Sequence, residues 1–486
     1  MPESVTKNTT FLTSAYVWQK LLSFVYFVLV ARFIGVENLG KYTFAISFAT
    51  LFAVLLDLGF NSALIRESAK FKERAADYLS SILSVKIITA ILVYALVAVA
   101  INLLGYPPLT KLLVYLAAIP MVFDQFANTF WGAFRGRQNL RYESLNIVIN
   151  QVIILVVGLG VLFLKLPLPY LMLPFILASA FSLVFAGVSV RRVLAIHYRP
   201  LFDRALLKTI LKIAVPFALI AIFSRVYGYI DSIMLSKMVG DKAVGWYSVA
   251  MKIPFALQFI PAALAASIFP AFSHHFVHDK EQLRLTFERV IKFLLIIVVP
   301  ISVGITVLAR PIVLSFYGVE YLPSVLPLQI LMAGLIFVFL NFPLGSLLNG
   351  CDRHVLNMYL VGAVMIVNVA LNIFAIPRFS FVGAAAAFVV SHALLFVISM
   401  MAGARIVPYG KAQMWLTAGQ TIVSAVAMGA VILALIDKLH FILLIVIGAI
   451  VYVAAIFLVR GLTVEEMKYF IGVMFRKANA KSTDPL

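Results

Sequence analysis

Seven ionisable side chains fall inside long apolar stretches: Lys20, Asp57, Lys86, Asp124, Arg225, Asp231 and Lys252. An Arg, Lys or Asp at the centre of a membrane-spanning helix costs roughly 2.5–3.5 kcal/mol on insertion scales. Such residues pair with one another or face a polar cavity. Arg225 and Lys20 lie deep in their stretches, with no obvious excess of acid nearby. Together with Lys252 they would make a cationic cavity, and charge-assisted bonds from Arg and Lys are what a phosphate or diphosphate requires. The alternative for the same residues is structural ion pairing, Lys20 with Asp57 and Asp231 with Lys252. Lys86 and Asp57 stand near enough to a membrane face for snorkelling. Asp57, Asp124 and Lys86 are therefore expected as buried charge partners.

Asp231 has a second use. Asn368 and Asn372 are four apart and share a helix face. A carboxylate with amide oxygens suits a hard cation, so Asp231, Asn368 and Asn372 form a candidate site for a coupling Na+ or H+. The competing reading is an interhelical hydrogen-bond network. Other signals point away from chemistry. GVENLGK (35–41) has the G-x4-G-K spacing of a phosphate loop, but Tyr42 stands where Ser or Thr is required and no strand precedes it. His274 and His278 could share a face, yet only Asp279 accompanies them as a further ligand type. Cys351 is the single cysteine, which excludes an internal disulfide. No resident metal and no cofactor are expected.

The elements that carry these residues follow from composition. Of 486 residues, 63% are hydrophobic and 12% charged, with a mean hydropathy of +1.05. Ordinary soluble domains carry about 25% charged residues. A soluble globular enzyme, a disordered chain and a fibre are excluded, and lipid is the solvent. The net charge of +19 would suggest nucleic acid in a soluble protein. Here it is expected to mark basic loops beside anionic lipid, with no nucleic-acid partner.

A spanning helix takes about 20 apolar residues. The sequence predicts an all-α integral membrane fold with fourteen such helices. They run at roughly 11–34, 42–60, 80–104, 111–133, 144–164, 170–190, 211–235, 246–271, 289–309, 325–349, 357–376, 383–403, 413–435 and 440–459. With the N-terminus inside, inner segments hold 26 Lys and Arg against 9 in outer segments. That bias places both termini in the cytoplasm of a multi-pass protein of the cell (plasma) membrane. The longest outer loop, 310–324, is expected to contain an interfacial helical turn. Pro216, Pro254, Pro261, Pro270 and Pro300 interrupt the helices, either as static kinks or as bending points.

The two halves repeat. IGVENLGKYTFAISF (34–48) aligns with VGDKAVGWYSVAMKI (239–253) through Gly35/Gly240, Gly40/Gly245, Tyr42/Tyr247 and Ala45/Ala250. FANTFWG (126–132) aligns with FLNFPLG (339–345) through Asn128/Asn341 and Gly132/Gly345. Six helices per repeat give a parallel repeat. The expected organisation is a six-helix lobe (1–190), a cytoplasmic linker (191–210), a second six-helix lobe (211–403), two additional helices (404–459) and a cytoplasmic tail (460–486). Transporters built from two such bundles rock around a site between them.

The six-plus-six-plus-two pattern resembles the multidrug/oligosaccharidyl-lipid/polysaccharide exporter superfamily. ARFIGVENLGKYTFAISFATLFAVLLDLGF and FVGAAAAFVVS (381–391) are similar to its polysaccharide-transporter family, which includes O-antigen and lipid-linked oligosaccharide flippases. The resemblance implies a non-enzymatic flippase. Its substrate would be an isoprenoid (di)phosphate-linked oligosaccharide, moved by alternating access from the cytoplasmic to the outer leaflet for cell-surface polysaccharide biosynthesis. In such flippases the first, second, seventh and eighth helices line the central cavity, and Lys20, Arg225 and Lys252 lie on three of those four. The implied partners are the lipid-linked oligosaccharide, membrane lipid and glycan-assembly enzymes. Two alternatives remain: a cation-coupled multidrug antiporter of the same superfamily, and a membrane glycosyltransferase or polysaccharide polymerase.

Overall fold

The computed structural model describes the backbone of residues 2–199, 204–463 and 465–466. Positions 200–203 of the expected linker and 467–486 of the expected tail lie outside the described residues. Every regular element among those described is helical. In chain order these are α1 (Pro2–Asp57), α2 (Phe60–Lys70), α3 (Ala75–Leu103), α4 (Pro108–Gly136), α5 (Arg141–Phe163), α6 (Leu173–Val193), α7 (Arg204–Met238) and α8 (Asp241–Leu257). Then come α9 (Phe259–His278), α10 (Lys280–Phe316), α11 (Val325–Gly350), α12 (His354–Ala404), α13 (Lys411–Leu435) and α14 (Phe441–Leu458).

By length and apolarity, 12 stretches of helix can cross a membrane among the described residues. Two of them are double. α1 breaks at Gly35, whose φ of 74° suits a residue without a Cβ. α12 breaks at Ser380, with φ of 53°, three residues after Pro377. Dividing these two at their breaks yields the fourteen expected arms. The turn expected in 310–324 is a short 3-10 helix, Val319–Ser324. Between Pro254 and Pro261 the helix is interrupted at Gln258, which separates α8 from α9.

The chain forms two compact units, Met1–Gly245 and Trp246–Leu486. In the first, α4 packs on α6, α1, α2 and α3, and α1 also packs on α5 and α7. A core of Phe60, Leu64, Tyr78, Ile82, Trp131 and Phe134 joins α2, α3 and α4. Arg135 and Glu143 form an ion pair that ties α4 to α5. In the second unit α10 contacts α11 and α13, and α11 contacts α12. The two last helices are bound to α10: Tyr452 Oη donates to the Ile296 carbonyl at 2.9 Å, and α13 packs along the same helix.

The repeat has a physical expression within the first unit. A Cβ at Gly40 would overlap the backbone carbonyl of Asp241, and a Cβ at Gly245 would overlap that of Val36. Asp241 stands to Gly240 as Val36 stands to Gly35. The two aligned turns therefore bury each other's glycines reciprocally. Gly40→Ala and Gly245→Ala are each expected to lower the melting temperature of the purified protein. Overpacking costs about 1–3 kcal/mol, and backbone atoms cannot swing aside as side chains do. Gly160→Ala in α5 meets nothing within 4 Å and is expected to leave melting unchanged or raise it.

Candidate functional site

A cavity of about 240 Å3 lies in the first unit, between α1, α4, α6 and α7. Helical spacing explains its walls. On α4, Ala117, Pro120, Asp124 and Asn128 recur at three- and four-residue steps and share a face. On the second arm of α1, Ile46, Ala49, Thr50 and Ala53 do the same. The small side chains of Ala49, Ala53 and Ala117 leave the space open. Pro120 cannot donate a helical backbone bond, so the rod is weakest one turn before Asp124.

The polar groups converge on this space. Asp124, Gln125 and Asn128 come from α4, Thr50 from α1 and Arg225 from α7. Ser179 of α6 hydrogen-bonds the Asp124 carboxylate. The Arg225 guanidinium is exposed and lies 6.0 Å from the centre of the Tyr229 ring, one turn further along α7. The cavity thus offers a cation and an anion among neutral hydrogen-bonding groups. It can hold a small polar or charged group while the apolar walls exclude others.

The remaining expected residues fall elsewhere. Lys20 sits half-buried on the first arm of α1 and does not line this cavity. Lys252 lies on α8, in the part of that helix belonging to the second unit. Asp231 is buried on α7. The snorkelling expected of Lys86 is corrected. Its side chain is fully buried, with Nζ donating to Asp57 Oδ1 at 3.1 Å and to the Gln125 carbonyl at 3.1 Å. The reason is that α3 packs against α1 and α4, which supply acceptors at a depth that water need not reach. Thr50, Gln125 and Asn128 are cavity residues that the sequence reading passed over. Asn128 had been used only to align the repeat, although its four-residue spacing from Asp124 was the available signal.

Comparison with known proteins accounts for this arrangement. The family model described as "Polysaccharide biosynthesis protein" matches residues 5–276, more than half of the chain. The chain belongs to that family. The transporter is thus a polysaccharide-transporter member of the multidrug/oligosaccharidyl-lipid/polysaccharide exporter superfamily, and a second family model, MatE, matches residues 216–374. It is 21% identical to the capsular polysaccharide biosynthesis protein CapF of Staphylococcus aureus, over 79% of this chain and 96% of that one. In fold it is similar to the lipid II flippase MurJ in an inward closed conformation. The TM-score is 0.76 at 17% identity, covering 96% of this chain and 99% of that chain. An inward-facing multidrug resistance transporter of the MATE family gives a TM-score of 0.69, also at 17% identity, over 80% and 94%.

The second unit of the transporter contains a polar cluster of its own. Asn368 and Asn372 are fully buried on the first arm of α12. Asn372 Nδ2 donates to Asn368 Oδ1 at 3.2 Å and to its carbonyl at 3.0 Å. Asn368 Nδ2 donates to Ser391 Oγ at 3.3 Å, which links the two arms of α12. Ser391 in turn donates to the Ala387 carbonyl at 2.6 Å. Ser391 is the last residue of the FVGAAAAFVVS stretch, and the sequence reading gave it no polar role. Nearby, Asn341 Nδ2 donates to the His392 carbonyl at 3.1 Å, so the residue that aligns with Asn128 also makes a polar contact. His274 and His278 stack with ring centres 4.5 Å apart, and His278 Nδ1 lies 2.9 Å from the His274 carbonyl of its own helix.

Proposed function

We propose that the transporter is a flippase for isoprenoid phosphate- or diphosphate-linked oligosaccharides. It would take the headgroup from the cytoplasmic leaflet and release it at the outer leaflet by alternating access of two lobes, 1–190 and 211–403. The observation that carries this reading is Arg225, a guanidinium exposed to a polar cavity in a spanning helix of a polysaccharide-transporter family member. A guanidinium offers a planar fork of donors that matches phosphate oxygens. Arg225 is the first phosphate contact in this proposal, with Lys20 and Lys252 as further cations along the path. Gln125, Asn128 and Thr50 supply neutral hydrogen bonds that suit sugar hydroxyls. No covalent bond is made or broken.

The test is reconstitution in liposomes with a fluorescent isoprenoid-diphosphate oligosaccharide, scored as protection from a membrane-impermeant quencher. Transfer between leaflets that requires the protein supports the flippase. The absence of transfer, combined with cation-driven efflux of an organic-cation dye, overturns it in favour of the multidrug antiporter, a reading favoured by the MatE match over 216–374.

Ion coupling belongs to the same proposal. Asp231 with Asn368 and Asn372 would form a Na+ or H+ site that powers the cycle. Asp231→Asn is expected to abolish stimulation of transfer by an inward Na+ or proton gradient while leaving ungraded exchange measurable. Stimulation that persists in Asp231→Asn would remove the residue from coupling.

A further inference from the structure

A second cavity, of about 370 Å3, lies in the first unit between α3, α4 and α6. Its volume is within the range of small-molecule sites, about 300–1,000 Å3. Its trough is apolar and rich in aromatic rings: Leu83 and Ile87 from α3, Phe123 and Phe126 from α4, and Leu183 from α6. One end is different in kind. There Arg191 and Arg199 join the wall, and no carboxylate does.

That end is built by the chain itself. After α6 the backbone turns at Ala195, whose φ of 53° is in the left-handed region, and returns along the bundle. The Ile196 amide donates to the Val190 carbonyl at 3.3 Å, and Ile196 is buried in the core. Arg137 donates to the Leu194 carbonyl at 3.3 Å. Tyr198 lies over Phe130 with ring centres 5.0 Å apart. The Arg191 guanidinium stacks on the other partner of that pair, 4.4 Å from the Tyr198 ring centre. The backbone amide of Arg199 donates to Ser80 Oγ of α3 at 3.2 Å. Two guanidiniums are thereby held at the mouth of an apolar trough, one by a ring and the other by its backbone.

The geometry points to a binding site for an anionic phospholipid, with the phosphodiester between Arg191 and Arg199 and an acyl chain in the trough. Charge and shape agree on this occupant. A cationic mouth without acid selects an anion, and the aromatic trough selects a hydrocarbon chain. Basic pockets between spanning helices are suited to acidic lipid headgroups. The site is separate from the Arg225 cavity and does not depend on the transport reading.

The experiment uses the full chain purified in a non-ionic detergent. Retained lipid is counted by native mass spectrometry during titration with phosphatidylglycerol or with phosphatidylcholine of the same chains. Phosphatidylglycerol is expected to bind at least about tenfold more tightly, since each basic residue near an anionic headgroup contributes a several-fold preference. Arg191→Gln/Arg199→Gln is expected to erase that preference, and Arg191→Lys/Arg199→Lys to keep most of it. Ile87→Trp starts from an exposed position on the trough and is expected to weaken phosphatidylglycerol binding with both arginines in place. This variant carries the test if the double glutamine variant does not fold. Equal binding of the two lipids by the unaltered protein would overturn the site. So would phosphatidylglycerol binding that survives both variants. Displacement of the lipid by millimolar inorganic phosphate would show an anion site with no use for the trough, and would overturn the lipid assignment.

Discussion

Replacing Arg225 by alanine is expected to slow leaflet-to-leaflet transfer of an isoprenoid-diphosphate oligosaccharide by about ten- to a hundredfold below saturation. Hydrogen bonds to a charged group contribute about 1.5–3 kcal/mol, and each 1.4 kcal/mol is a factor of ten in affinity. Arg225→Lys keeps the charge but loses the planar fork, so its loss is expected to be smaller. The informative partner is Asp124, which lines the same cavity. If the substrate brings a phosphate, the Asp124 carboxylate opposes it and Arg225 attracts it. Asp124→Asn then strengthens binding, and a hydrogen bond with Ser179 can be kept by the amide. If the substrate is an organic cation, both signs reverse. The two variants thus report the charge of the substrate without its identity being known. Transfer assays on both, beside a circular-dichroism check of folding, decide between the readings. Undiminished transfer by Arg225→Ala would remove the phosphate contact from this cavity.

The spans were legible because the requirement is coarse. About 20 apolar residues at 1.5 Å each must cross the hydrocarbon, and errors of a few residues do not change the count. The break at Gly35 was legible as a glycine-bearing turn. The break at Ser380 was legible only as the gap between two apolar runs, since serine gives no warning of a positive φ. The bend at Leu58 and Gly59 was missed. There the apolar run ends without polar punctuation, and α2 peels away as a separate short helix bearing Arg66, Glu67 and Lys70. The fold-back after α6 was equally hidden, because it turns at Ala195 and not at a glycine.

Charge partners were the least legible feature, for a geometric reason. Helical period says which residues share a face of one helix. It does not say which face of another helix they meet. Asp57 and Lys86 are 29 residues apart on different helices, with no periodic relation between them. Depth along the membrane was the only guide, and several residues share a depth. The Arg225 cavity shows the same limit from the other side. Asp124, Asn128 and Pro120 announce a common face of α4 by their spacing. That Arg225 of α7 faces the same space is a fact of packing between helices a hundred residues apart in sequence.

Asp57→Ala is expected to be among the most destabilising single substitutions in the first unit, at about 3–5 kcal/mol. Removing one partner of a buried ion pair leaves the other charge uncompensated, and Lys86 is fully buried. Asp57 has a second duty. Its Oδ1 accepts from the Asn61 amide at 3.3 Å, across the bend at Leu58 and Gly59, so it also caps the start of α2. Asp57→Asn keeps an acceptor for that cap and loses the charge, and is expected to fall between wild type and Asp57→Ala. Lys86→Met is expected to cost less than Asp57→Ala, because the Asp57 side chain left behind is 26% exposed and can be solvated. Lys86→Met with Asp57→Leu removes both charges, and apolar replacement of a buried pair is often neutral or stabilising; only the cap on α2 is then lost. Thermal melting of the four purified variants gives the ranking. If Lys86→Met melts as early as Asp57→Ala, charge compensation is not the main term. The bond from Lys86 to the Gln125 carbonyl would then be the one that matters. Gln125 lies beside Asp124 on the cavity wall, so Lys86→Met would in that case also reduce transfer at temperatures where it remains folded.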